Sequence, residues 1–216
     1  MDTITPAVVD GGFPAQEAPQ AERPLILYLH GFTSGPQSAK VQALAAHMAE
    51  RGCADRLACP QLPASPAAAI ALAEGIIRTL GGNTVTLIGS SLGGFYATHL
   101  AEKHGLRAVL VNPAVVAAIE LERYLGPHTW LYTGEPFEFT RQHQAELRAL
   151  EVPVLADPAR YWLLVEQGDE TLDYRQAVAR YAGTRQTVLS GGDHGFTRWG
   201  DYLHDILAFA GLASAR

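Results

Sequence analysis

Apolar positions along the chain follow two rhythms that take turns. Six short runs are apolar almost throughout: Leu25-Ile26-Leu27-Tyr28-Leu29, Leu57-Ala58-Cys59, Thr84-Val85-Thr86-Leu87-Ile88, Ala108-Val109-Leu110-Val111, Tyr161-Trp162-Leu163-Leu164-Val165 and Gln186-Thr187-Val188-Leu189. Runs of this length without strict alternation predict strands covered on both faces. Between them the spacing turns helical. Val41, Leu44, Ala45 and Met48 share one helical face in a run that begins near Gln37 and stops at Gly52. Further helices are predicted from Ala67 to Leu80, closed by Gly81-Gly82, then over Phe95–Lys103, Leu172–Tyr181 and Trp199–Phe209. Strands alternating with helices predict an α/β fold: an open, mostly parallel six-stranded sheet with helices on both faces. Right-handed crossovers put every strand C-terminus on one edge, and that edge is where chemistry is expected.

Two stretches break the alternation. Residues 1–24 are rich in Pro, Ala, Gly and Glu with no clear period, and read as an extension to a domain spanning 25–212. Residues 113–160 interrupt the pattern between the fourth and fifth strands. Helical pieces are predicted there over Ala114–Leu125 and Arg141–Leu150, among the aromatics Tyr124, Trp130, Tyr132, Phe137 and Phe139. Such an insertion leaves a strand C-terminus, so it reads either as a small helical cap over the active edge or as an ordinary helical connection with a local core.

Composition narrows the classes. A chain of 216 residues with 48% hydrophobic and 18% charged positions has the makings of one globular domain. Its net charge of −6 comes without a basic block, which argues against a nucleic-acid surface. No run approaches the length of a membrane-spanning helix, and the N-terminus lacks the pattern of a secretory signal. Cys53 and Cys59 have no zinc-type neighbours and read as buried free thiols. A cytoplasmic location without metal or cofactor is the expectation.

The candidate chemistry starts at the third strand. Gly89-Ser90-Ser91-Leu92-Gly93 matches G-x-S-x-G, in which a serine sits on a tight strand-to-helix turn whose close neighbours must lack a Cβ. Glycine-rich composition alone can produce five such residues, so the other strand ends decide. After the fifth strand comes Gln167-Gly168-Asp169-Glu170-Thr171-Leu172-Asp173, and after the sixth comes Gly191-Gly192-Asp193-His194-Gly195-Phe196. The order Ser91, Asp169, His194 is that of the α/β-hydrolases. A serine hydroxyl needs an imidazole to take its proton, and the imidazole needs a carboxylate on its other nitrogen. A developing oxyanion needs fixed donors, for which the backbone N–H groups of Leu92 and Phe32 are candidates. Glu166, Glu170 and Asp173 compete with Asp169; of these, Asp173 reads as the opener of the next helix. His30 is read as a structural loop residue, Asp193 as a turn residue, and Ser34 and Ser38 as supports for the first helix.

Several stretches also resemble the YqiA-type esterases, a small α/β-hydrolase family. They are Leu29-His30-Gly31-Phe32-Thr33-Ser34-Gly35-Pro36-Gln37-Ser38-Ala39-Lys40, Pro60-Gln61-Leu62-Pro63, Gly89 to Thr98, Val111-Asn112-Pro113-Ala114, Tyr132-Thr133-Gly134-Glu135, Gly168 to Ala177 and Gly191 to Phe196. The resemblance runs from about Leu25 to Leu212. It implies an esterase or acyl-thioesterase with Ser91, Asp169 and His194 as its triad. The chain departs from the family in its extension before Leu25 and in Gly35, which stands where a second serine is common.

The resulting expectation is a metal-free serine ester hydrolase acting on small acyl esters, with acyl-CoA thioesters as a second substrate class. Three rivals stand beside it. One is other triad chemistry such as C–C bond hydrolysis, because a fold does not fix a substrate. Another is a catalytically silent binding protein. The third is phosphate binding at the loop from Gly31 to Lys40, which lacks the P-loop spacing.

Overall fold

A computed structural model describes residues 24–79, 85–116 and 120–212. The extension, apart from Pro24, therefore lies outside the described residues. Six strands form one sheet: β1 (Leu25–Leu29), β2 (Leu57–Ala58), β3 (Val85–Ser90), β4 (Arg107–Val111), β7 (Tyr161–Glu166) and β8 (Arg185–Leu189). Their order is β2-β1-β3-β4-β7-β8, and every pairing in this sheet is parallel. The helices are α1 (Ala39–Ala49), α2 (Pro66–Thr79), α3 (Leu92–His104), α4 (Arg141–Ala149), α5 (Tyr174–Arg180) and α6 (Trp199–Phe209).

The apolar runs are continuous because successive side chains enter two different cores. Ile26, Tyr28, Ile88, Val109, Trp162 and Leu164 pack with α1 and α6 on one face. Leu25, Leu27, Leu29, Leu87, Leu110 and Leu163 pack with residues of α2 and α3 on the other. Each face therefore has a helical cover, as a two-sided parallel sheet requires. From β1 the chain passes outward to β2, then returns through α2 to place β3 on the other side of β1. The order reverses between β1 and β3, so a crevice opens at their C-terminal ends. The loop starting at His30 and the turn at Ser91 stand there.

The segment between β4 and β7 differs from the expectation. No α-helix covers 114–125 among the described residues; Leu121–Tyr124 is a short 3-10 turn, and 117–119 lie outside the description. A β-hairpin follows, β5 (Gly126–Thr129) against β6 (Pro136–Phe139), and then α4, which was expected. The segment is thus part hairpin and part helix. Its cue was the alternation Phe137-Glu138-Phe139 across from Gly126-Pro127-His128, which the aromatic count masked. Glycine at 126 and 134 has positive φ, at the start of β5 and in the turn between the strands. Phe32 is the centre of this region. Its ring meets those of Tyr124, His128, Phe137 and Phe139 edge-on, at centroid distances of 5.7, 4.8, 5.6 and 5.5 Å. The Leu131 N–H donates to the Thr33 carbonyl at 2.8 Å, tying the hairpin to the β1 loop.

Candidate active site

Ser91 stands between β3 and α3 with φ 54° and ψ −122°. A serine in that region is strained, and the surroundings must hold it there. They do so through backbone contacts. The Ser91 N–H donates to Val111 O at 3.0 Å, and the Ser91 carbonyl accepts from Gly94 and Ala114, both at 2.9 Å. The glycines are needed for fit. A methyl on Gly89 would overlap Gly93 backbone, one on Gly93 would overlap the Leu29 carbonyl, and one on Gly94 would press on Pro113. The motif spacing is therefore the contact pattern of β1, β3, α3 and the end of β4.

Asp169 and His194 arrive from loops after β7 and β8. His194 Nε2 lies 3.1 Å from Ser91 Oγ, and His194 Nδ1 lies 2.9 and 2.8 Å from the two Asp169 carboxylate oxygens. The Asp169 side chain is 2% exposed. Its Oδ1 also accepts from the N–H groups of Thr171 and Leu172 at 2.9 and 2.8 Å, which fixes its orientation. A carboxylate can only accept here, so Nδ1 carries the proton and Nε2 is left to accept from Ser91. Asp173 is elsewhere: it caps α5 and pairs with Arg175. Asp193 forms a turn, its carbonyl accepting from Phe196.

The two loops are pressed together backbone to backbone. The N–H of Gln167 donates to Leu189 O and that of Gly168 to Gly191 O, both at 2.8 Å. A side chain on Gly168 would collide with Gly192 O, and Gly191 and Gly192 have φ of 70° and 75°.

Two further residues organise this junction: Glu166, a rival of Asp169 by its position in the chain, and Asn112, whose role the chain did not suggest. Glu166, the last residue of β7, is fully buried. Its carboxylate accepts from the N–H groups of Asp193, Thr197 and Arg198, from the Thr197 hydroxyl and from the Arg198 guanidinium. Burial pushes its pKa upward, but these donors outweigh burial and hold it below the usual glutamate value. Asn112, at φ 40° after β4, donates from Nδ2 to the carbonyls of Asp193 and His194 and accepts the Glu166 N–H on Oδ1. The cue for Glu166 was an acid at the end of an otherwise apolar strand. For Asn112 it was a residue tolerant of positive φ, set between a strand and a proline.

His30 is buried and neutral. Its Nε2 accepts the Leu62 N–H at 2.9 Å, so Nδ1 carries the proton and donates to Gly31 O at 2.9 Å. Burial pushes its pKa down to about 4, against the opposing pull of the Gly31 carbonyl. Gly31 O also accepts from the Ser34 N–H at 3.2 Å. With that carbonyl held on one side, the trans peptide turns the Phe32 N–H the opposite way. Among the described residues, the Phe32 and Leu92 N–H groups have no acceptor in the protein.

A cavity of about 230 Å³ opens at Ser91 and His194. Phe32, Leu92, Val116, Leu121, Phe139 and Leu147 contribute apolar walls, so the segment between β4 and β7 supplies much of the lining. Among the described residues, no group of three or more His, Cys, Asp and Glu side chains gathers as a metal site, and no helix is long and apolar enough to cross a membrane.

Two stability predictions follow from the buried groups. The folded His30 value near 4 lies below the ordinary value, so the unfolded chain binds the extra proton between the two. Stability should fall as pH drops from about 6.5 towards 4, by up to roughly 3 kcal/mol from this group. A His30→Gln variant should lack that part of the slope in urea titrations across the same range. Glu166→Gln should cost about 2–3 kcal/mol at neutral pH by weakening charge-assisted bonds. Because the folded Glu166 value is depressed, its contribution is complete above about pH 4.3 and is lost as pH falls through the folded value. The gap between wild type and Glu166→Gln should therefore narrow in acid.

Solved structures share this fold. A chain from the structures of LipS and LipT, two metagenome-derived lipolytic enzymes, is 18% identical, with a TM-score of 0.65 over 88% of this chain and 94% of that one. A monoacylglycerol lipase of Paleococcus ferrophilus is 16% identical, with a TM-score of 0.64 over 88% and 95%. Est1E of Butyrivibrio proteoclasticus, in its structure with ferulic acid, is 13% identical, with a TM-score of 0.61 over 90% and 91%. The architecture is that of the α/β-hydrolases. Residues 25–211 match the uncharacterised protein family UPF0227, the family of the YqiA-type esterases, and the chain belongs to it.

Proposed function

We propose that the protein is a serine hydrolase of small acyl esters. The observation that carries this reading is the hydrogen-bonded line from Asp169 through His194 to Ser91, ending at the mouth of an apolar cavity. Ser91 Oγ attacks the acyl carbon while His194 Nε2 takes its proton. Asp169 holds the Nδ1–H and stabilises the imidazolium as it forms. The Phe32 and Leu92 N–H groups, which have no other acceptor among the described residues, bind the oxyanion. As the tetrahedral intermediate collapses, His194 gives the proton to the departing alcohol or thiol. Water then attacks the acyl-enzyme by the same route and releases the acid.

The segment at 113–160 acts in this reading as the cap of the acyl pocket. Its cavity lies below the usual ligand-pocket range of about 300–1,000 Å³, which favours short acyl groups. The relatives sharing the fold include proteins described as lipolytic and as a monoacylglycerol lipase, in keeping with ester chemistry.

The test is a panel of acyl esters and CoA thioesters of increasing chain length, assayed with wild type, Ser91→Ala and His194→Ala. Wild type should prefer the short acyl groups. Each variant should lose about 10³-fold or more in kcat while melting as the wild type does. A folded wild type inert across the panel, or a Ser91→Ala variant with full activity, would overturn the proposal.

A further inference from the structure

A second cavity reaches the same reacting pair. It has a volume of about 150 Å³ and lies between β1, the start of α1 and the His194 loop. It shares only Phe32, Ser91 and His194 with the apolar cavity. Its character is different. Four hydroxyl-bearing residues, Tyr28, Ser34, Ser38 and Ser90, and the cationic Lys40 are among those that line it. No aspartate or glutamate lines it.

Two of these hydroxyls are buried and idle. Tyr28 is 1% exposed, and its hydroxyl, beside Ser90, has no hydrogen-bond partner of good geometry. Ser38 stands at the N-cap of α1, where a serine oxygen ordinarily accepts from the first turn, yet its side chain makes no capping bond. A buried polar group without a partner is costly, and both of these belong to residues at the wall of this one cavity, where a small side-chain rotation would give each a partner in a bound molecule. Lys40 is anchored by donating to Gly195 O at 2.7 Å, which leaves two of its protons for another acceptor.

Resting on the ester hydrolase reading, we propose that this cavity is the leaving-group subsite and selects esters whose alcohol carries a carboxylate. At the tetrahedral carbon the acyl chain occupies the apolar cavity, and the remaining substituent must use the other opening. His194 lines that opening, so Nε2 can protonate the departing oxygen there. One ammonium with surrounding hydroxyl donors matches a single negative charge. A phosphate dianion is matched less well, because the carboxylates of Asp193, Asp169 and Glu166 act on the same ammonium and add negative potential.

The experiment compares two substrates that differ only in charge, butyryloxyacetate and butyryloxyacetamide, with rates normalised to their hydroxide-catalysed hydrolysis. Wild type should favour the carboxylate by roughly ten- to hundredfold in kcat/KM. Lys40→Met should bring the ratio close to one, and Ser38→Ala and Tyr28→Phe should each lower it several-fold. Each ratio is taken within one variant, so any general loss from freeing the Gly195 carbonyl cancels. If Lys40→Met does not fold, the two hydroxyl variants carry the test. A wild-type ratio near one, or a ratio unchanged in the variants, overturns the subsite while leaving ester hydrolysis intact. A greater preference for butyryloxyethyl phosphate overturns the carboxylate assignment. Failure to cleave any of the three, butyryloxyacetate, butyryloxyacetamide and ethyl butyrate, overturns the hydrolase reading and the subsite with it.

Discussion

The site rests on a single strained turn. Ser91 has a backbone conformation that an L-residue rarely adopts, and it keeps it because β1, α3 and the end of β4 approach closer there than any Cβ would permit. Gly89, Gly93 and Gly94 are the points of approach. The same closeness lets Val111 and Ala114 bind the Ser91 backbone from the neighbouring strand end. A sheet whose two faces are both covered gives this turn a rigid floor, so the strain is met by packing and does not relax into a looser turn.

The rest of the geometry depends on holding the β8 loop against the β7 loop. A fully buried carboxylate does this. Glu166 collects the N–H groups of three residues in the loop that carries His194, together with the guanidinium of Arg198. Asn112 ties the same loop to the end of β4, beside the serine turn. The imidazole is thereby registered against both Ser91 and Asp169 by groups that never touch it. Phe32 is positioned in a parallel manner, by four aromatic rings on one side and the doubly bound Gly31 carbonyl on the other. Such edge-to-face contacts contribute about 0.5–1.5 kcal/mol each, enough in sum to hold the ring, while the Gly31 carbonyl sets the direction of the N–H.

Much of this was legible in the chain. Six apolar runs gave the strands because both faces are buried, and strand ends gave Ser91, Asp169 and His194 because parallel topology gathers those ends on one edge. Asp169 and Asp173 follow the same strand, and the helix that begins just after Asp173 was the cue that set it apart as a cap. The segment after β4 was least readable. The stretch from 114 to 125 reads as a helical piece, yet Ala114, Val116, Leu121 and Tyr124 line a cavity, the last two from a short 3-10 turn, and four-residue strands are too short to show their period. Glu166 and Asn112 were hidden for another reason: their partners lie in the loop after β8, and a chain read in order does not show long-range hydrogen bonds. The idle hydroxyls of Tyr28 and Ser38 were equally invisible, because only the fold reveals that a serine at an N-cap is not capping.

The central proposal is that Ser91 is a nucleophile whose reactivity comes from the fold. The most direct measurement is to treat the native protein with a fluorophosphonate probe and locate the modified residue by mass spectrometry. One stoichiometric adduct on Ser91 is expected, slowed severely in His194→Ala and absent after unfolding. An unlabelled native protein, or label on another residue with Ser91 untouched, would contradict it.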